Sequence, residues 1–365
     1  MSGMWGNNIK ISIFGESHGN AIGITIDGVP PGVHINMEEI SVEMGRRAPG
    51  KSKLSTKRKE DDIPEILSGY FEGKTTGTPI CAIIRNSNSK SKDYSKIKNV
   101  MRPGHADYTG RIKYDGFNDY RGGGHFSGRI TAPLVFAGAI CKQILSTKGI
   151  SVAAHVNSIG NIKDDSFLDV ALSEELINSF KNKELSLINK NLEQLMRDEI
   201  LKAKKEMDSI GGTIECAVLG VKPGIGSPFF DSIESTLSHL IFSVPAVKGI
   251  EFGRGFDISK MRGSKANDEY YIDDNKIKTK TNNNGGILGG ISNGMPIIFN
   301  VAIKPTPSIY KEQKTINIDT KEETILAIEG RHDPCIVQRV LPVIEAVTAI
   351  GILDLVENRG EHSEY

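Results

Sequence analysis

The sequence predicts an α+β fold, built as one large domain over residues 1–365. Three observations predict it. Apolar runs of strand character are mixed with helical patterns, but they do not alternate as the regular strand–helix–strand series of a doubly wound parallel sheet. No Pro/Gly/Ser-rich linker divides the chain, and no repeat of fixed period is visible. With 365 residues and 38% hydrophobic side chains, the chain is long and apolar enough to bury a large core.

The strand-like runs lie at 9–14, 22–26, 80–84, 151–156, 213–219 and 296–303. Asn36 is placed to cap a helix from Met37, with Glu38 and Glu39 in a first turn that favours acids. Pro133 suits the first turn of an apolar helix ending near Gly149. Leu192, Met196, Ile200, Ala203 and Met207 form one stripe at helical spacing, stopped by Gly211 and Gly212. The stretch from Pro342 to about Val356 reads as a mostly apolar, buried helix. The polar, Lys-, Asn- and Glu-rich stretch at about 160–190 reads as a solvated helical excursion.

Composition narrows the function. Lys+Arg and Asp+Glu balance at 45 each, so net charge gives no reason to expect nucleic-acid or membrane-surface binding. Cys81, Cys141, Cys216 and Cys335 are scattered and form no C-x-x-C pair, as in a reduced cytoplasmic protein. The first ten residues carry no basic-then-apolar leader. The apolar stretches near 130–141 and 340–356 are too short for a bilayer or are broken by Glu345 and Asp354. The eight histidines lack metal-ligand spacing.

Three constellations carry chemistry. Gly15-Glu16-Ser17-His18-Gly19 follows the first strand run, which poises a histidine for proton transfer at a strand end. Its serine is off-centre for a G-x-S-x-G nucleophile elbow. Arg102-Pro103-Gly104-His105 and Arg121-Gly122-Gly123-Gly124-His125-Phe126-Ser127-Gly128-Arg129 crowd guanidiniums, imidazoles, a hydroxyl and bare amides together, a set suited to anions. Gly330-Arg331-His332-Asp333-Pro334-Cys335 offers a carboxylate as a base, an orienter or a helix cap. Gly45-Arg46-Arg47-Ala48-Pro49-Gly50-Lys51-Ser52 satisfies the written phosphate-loop pattern, but a helical rather than a strand pattern precedes it.

In that order the three constellations resemble the signature regions of chorismate synthases. The likeness extends to Asp27-Gly28-Val29-Pro30-Pro31-Gly32, Gly73-Lys74-Thr75-Thr76-Gly77-Thr78-Pro79, Asp208-Ser209-Ile210-Gly211-Gly212, Ala246-Val247-Lys248-Gly249 and Gly285-Gly286-Ile287-Leu288-Gly289-Gly290, and so to essentially the whole chain. The resemblance implies a single-domain β-α-β sandwich, a cytoplasmic homotetramer and reduced FMN as cofactor. It implies a 1,4-anti elimination of phosphate from 5-enolpyruvylshikimate-3-phosphate to give chorismate, without net redox change.

Carried over by position, the resemblance implies His18 as the acid near the departing phosphate, His105 as the histidine that protonates the reduced flavin, and Asp333 as the carboxylate working with it. Ser17 and Ser127 match the site serines. Arg47, Lys53, Arg102, Arg129 and Arg331 would hold the substrate's anionic groups. FMN contacts would come from His125, Phe126, Ser127, Pro245, Ala246, Gly289, Lys304, Pro305, Thr306, Pro307, Ser308 and Arg331. Some members reduce their own flavin with NADPH, and Arg47 and Lys53 occupy positions associated with it; the expectation here is an outside reductant.

Four departures stand out. His125-Phe126 replaces a frequent Arg-Ser, Ile130 a frequent Glu, Lys53 a frequent Arg, and Gln338 a frequent Pro. Two rival readings are a phosphate-loop phosphotransferase resting on 45–52 and an anion-binding scaffold without turnover.

Overall fold

The computed structural model describes residues 3–50, 54, 60, 62–86, 98–180, 183–328, 330 and 332–357. Five strands near the N-terminus, β1 (Met4–Trp5), β2 (Lys10–Gly15), β3 (Ala21–Asp27), β4 (Pro64–Ser68) and β5 (Ile80–Arg85), make one antiparallel sheet in the order β1-β2-β3-β5-β4. A second antiparallel sheet comes from β6 (Ser151–Ile159), β7 (Ile162–Lys163), β8 (Gly212–Leu219), β9 (Val247–Phe252) and β10 (Ile297–Ile303), ordered β9-β10-β8-β6-β7. All six expected strands are present, and no pair within either sheet is parallel. Each sheet turns apolar side chains inward; Ile22, Ile24 and Ile26 alternate along β3.

Among the described residues, the α-helices longer than six residues are α1 (Met37–Arg47), α2 (Asp107–Lys113), α3 (Thr131–Thr147), α4 (Glu193–Lys205), α5 (Ile233–Ser243) and α6 (Val337–Glu357). Two of them fill the space between the sheets. Helix α3 packs on β3 and β5, α6 packs on β6 and β8, and α3 and α6 pack on each other. The layers are therefore sheet, helices, sheet, the sandwich that the resemblance implies. A helix covered on both sides has no solvent face, which is why α3 is apolar all round. Against the expectation that this apolar stretch is too short, the span Gly128–Thr147, which takes in the turn before α3, is long and apolar enough to cross a bilayer, but most of it is buried as core. Gly138 allows the close crossing: a Cβ there would lie 2.3 Å from Ala346 Cα on α6.

Charged groups inside this layer are paired. Asn36 caps α1 as expected, accepting N–H bonds from Glu38 and Glu39. At the other end of α1, Arg46 donates to both oxygens of Glu345 on α6, at 2.6 and 3.0 Å. Lys142 of α3 donates to the same carboxylate, which also accepts the Ala154 N–H of β6 at 3.0 Å. Asp354, further along α6, accepts the N–H groups of Asn7, Asn8 and Ile9. The two acids that interrupt the apolar C-terminal stretch are thus buried ties between helices and sheets.

Three expectations change. The stripe ending at Met207 overruns its helix: α4 stops at Lys205, and Met207 sits exposed in left-handed backbone at φ 59. Helix α6 begins at Val337, before Pro342, so that proline lies inside it. The 160–190 stretch is not a solvated helical excursion. Among its described residues the one α-helix is the six-residue Glu174–Ser179, and Phe167 and Phe180 pack with Ala217 and Ile298 of the second sheet as a small separate core. Buried His155 pins this stretch, lying 3.2 Å from Asp164 and 2.9 Å from Glu215. Burial works against its charged form, but the two carboxylates win and raise its pKa.

Glu345 gives a test. Burial alone would raise its carboxyl, yet Arg46 and Lys142 hold it down at about 2. An acid depressed on folding stabilises above its unfolded pKa of ~4.3, and that stabilisation is lost as pH falls through the folded value. Glu345→Gln should cost roughly 3 kcal/mol at neutral pH, because two buried cations lose their counter-charge. Denaturation curves at pH 7 and between pH 4 and 2 measure it. The variant should also lose less stability on acidification than the wild type, and equal losses contradict the account.

Candidate active site

The three constellations lie far apart in sequence and meet in one cavity of about 1280 Å³. His18, His105 and Asp333 all line it. His18 follows β2 and is pressed by the glycine turn 121–126: a Cβ on Gly122 (φ 61) would fall 2.1 Å from the imidazole. The same turn fixes the backbone, since Gly124 O accepts the Ser17 N–H at 3.1 Å. Ser17 itself is buried behind the wall. Ser127 lines the cavity and caps the short turn before α3, accepting the Arg129 N–H at 3.3 Å.

Each arginine in the wall is held by a carboxylate. Arg102 forks onto Asp107, the first residue of α2, with both contacts at 2.7 Å. Arg47, one residue beyond Arg46 on α1, donates to Asp62 at 2.7 Å. Arg129 donates to Asp62 and to Glu60, and its Nε reaches Asn86 at 3.1 Å. Arg339, in the first turn of α6, donates to Asp333 and reaches Arg47 O at 3.2 Å. Burial, with Arg339 and Arg129 close by, pulls the Arg47 guanidinium down to about 10, so it stays charged at neutral pH. Burial also opposes the Asp62 carboxylate, but Arg47 and Arg129 hold its pKa low.

On another part of the wall, His105 Nε2 and the Ser308 hydroxyl are 2.9 Å apart. Burial, then Arg102, Lys304 and His332, lowers His105 to about 4. Lys304 ties this segment to the 102–105 turn by donating to Gly104 O at 2.7 Å. Pro245 and Ala246 lie beside it, Ala246 in left-handed backbone at φ 76 with its carbonyl accepting the Lys304 N–H.

These residues put a family on the chain. The family model for chorismate synthase matches residues 9–356. The chain belongs to the chorismate synthase family. It is 47% identical over 360 residues to a chorismate synthase of Dehalococcoides mccartyi, covering 99% of this chain and 98% of the relative. Identity to the Methanocaldococcus jannaschii chorismate synthase is 48% over 366 residues, covering 98% and 96%. A crystal structure of chorismate synthase matches with a TM-score of 0.76 and 30% identity, over 98% of this chain and 94% of that one. Chorismate synthases are enzymes of the final step of the shikimate pathway, which removes the scaffold reading. The phosphotransferase reading also loses its context, since Gly45, Arg46 and Arg47 are the last turn of a helix.

Most residues named from the sequence reach this cavity. His125, Phe126, Pro307 and Ser308 line it. Of the departures, His125 Nδ1 lies 2.8 Å from Gly15 O, Phe126 packs over Gly110, and Ile130 is buried in the wall. Pro305 and Thr306 lie outside the wall, as does Gly289, exposed at a hairpin turn. Lys53 and Arg331 fall outside the described residues. Sequence reasoning missed the anchoring groups Asp62, Glu60, Asn86, Asp107 and Arg339, and gave no role to His332, which lines the cavity against Tyr310. Glu60 and Asp62 end a charged run in which bases give way to acids, and they carried no periodic signal.

His105 should remain neutral in the ligand-free cavity until about pH 4. An imidazole titration by NMR checks this, and a midpoint near the ordinary ~6.5 contradicts the burial described here.

Proposed function

We propose that the chain converts 5-enolpyruvylshikimate-3-phosphate to chorismate and phosphate by a 1,4-anti elimination that requires reduced FMN. The observation that carries this reading is the convergence of His18, His105 and Asp333 with carboxylate-anchored arginines in one large cavity. The proposed substrate bears a phosphate and two carboxylates, and planar guanidinium forks match all three.

The wall fits a flavin on two counts. Leu240, Val244, Pro245, Val340 and Val343 give it an apolar stretch suited to a flat ring system. Lys304, Ser308 and His105 stand nearby as polar partners. Pro245, Ala246, Lys304, Pro307 and Ser308 would hold FMN, with His125, Phe126 and Ser127 contributing from the glycine turn. When bound, reduced FMN supplies electron density transiently as phosphate leaves, chemistry that belongs to the cofactor.

The chain's own residues place charge and protons. Arg47, Arg102 and Arg129 bind the anionic groups. His18 donates a proton toward the leaving phosphate, and Asp119 faces it, a carboxylate held low chiefly by its Arg121 fork and partly by His18. Burial and the neighbouring cations hold His105 neutral at pH 7, and anions bound beside it would raise its proton affinity. Asp333, oriented by Arg339, is the carboxylate that would work with the flavin. A cytoplasmic homotetramer completes the reading; exposed Phe229, Phe230 and Phe256 are large apolar groups of the kind that oligomer contacts cover.

An anaerobic assay with 5-enolpyruvylshikimate-3-phosphate and chemically reduced FMN tests the proposal. Chorismate and phosphate should appear in equal amounts, and absence of both rejects the reaction. Repeating it with oxidised FMN and NADPH should give no product if an outside reductant is needed. His18→Ala and His105→Ala should each lower turnover by roughly 10²–10⁴, the range for a lost acid or base. Wild-type rates in both remove these role assignments.

A further inference from the structure

Asp62 does not line the cavity, yet it touches two guanidiniums that do. Its side chain is fully shielded from solvent. One carboxylate oxygen takes Arg47 Nη1 and the other takes Arg129 Nη1. The two arginines arrive from different elements, the last turn of α1 and the turn before α3, so Asp62 joins those elements behind the wall. Its own backbone lies at φ 47, the left-handed region that L residues seldom adopt. A non-glycine residue persists there only where surrounding contacts overdetermine it, and such positions concentrate at functional sites.

A guanidinium makes two good bonds to an anion only when its plane is set beforehand. Removing the group behind it frees that plane and leaves Arg47, Arg129 and Arg339 to repel one another at close quarters. Glu60 and Asn86 give Arg129 a second and third tether, whereas Asp62 bonds both Arg129 and Arg47.

We propose that Asp62 is a positioning residue: acting through Arg47 and Arg129, it sets the angle at which both guanidiniums meet the anionic groups of the substrate. This inference rests on the substrate assignment above.

Calorimetric binding of 5-enolpyruvylshikimate-3-phosphate to the full chain, alongside anaerobic steady-state kinetics, tests it. Asp62→Asn keeps the shape and removes the charge; Kd and KM should rise at least ~10-fold, the usual scale for a lost charged hydrogen bond, with kcat falling far less. Asp62→Glu keeps the charge that folding needs but shifts the carboxylate by one methylene. It should still weaken binding several-fold, which a purely structural counter-ion would not do. In an Arg129→Ala background the effect of Asp62→Asn should shrink, because the two act through one contact. Wild-type Kd in Asp62→Glu, or full additivity with Arg129→Ala, overturns the proposal. A wild-type chain that does not bind the substrate at all rejects the substrate assignment instead.

Discussion

One buried ion cluster sets up much of the rest. Glu345 on α6 gathers Arg46 of α1, Lys142 of α3 and a backbone N–H of β6, so a single carboxylate ties three helices and the second sheet. Unpaired, each of these charges would be expensive inside the sandwich; paired, they fix how the helices sit. The consequence for the site is immediate, because the residue after Arg46 is Arg47. One side chain of that dipeptide reaches back into the core and the next reaches the cavity wall. The rigid layer thus delivers a guanidinium to the site from its own packing.

The same rule governs the cavity. A wall meant for a multiply charged anion needs many cations, and many cations in a partly buried space repel before the anion arrives. Asp62, Glu60, Asp107 and Asp333 resolve this by pairing with Arg47, Arg129, Arg102 and Arg339. Two histidines are treated in opposite ways. Burial first, then Arg102 and Lys304, lowers His105 to about 4, and its Nε2 meets a hydroxyl rather than an acid, so it is left neutral at pH 7. His155, away from the cavity, is enclosed by two carboxylates that raise its pKa against the effect of burial.

What the sequence made legible follows from which signals are local. Strand runs and the α1 cap depend on neighbours in the chain, and they appear where expected. The glycine and histidine constellations were legible as chemistry because close backbone approach and proton transfer restrict residue type. The anchors were not legible. Asp62 looks like one more charge in a mixed run, and its role depends on arginines 15 and 67 residues away. The 160–190 stretch misled for a related reason: Phe167 and Phe180 are sparse among polar residues, and their burial comes from the sheet beneath them. Glu345 and Asp354 looked like interruptions of an apolar helix until their partners were in place.

The central claim is that carboxylate-anchored arginines form the anion seat of the reaction. A crystal structure of the chain with reduced FMN and 5-enolpyruvylshikimate-3-phosphate tests it most directly. The account predicts Arg47 and Arg129 still bonded to Asp62, each offering another guanidinium nitrogen to a phosphate or carboxylate oxygen of the substrate. Substrate anions bound away from these arginines, or arginines that abandon Asp62 to reach them, would contradict it.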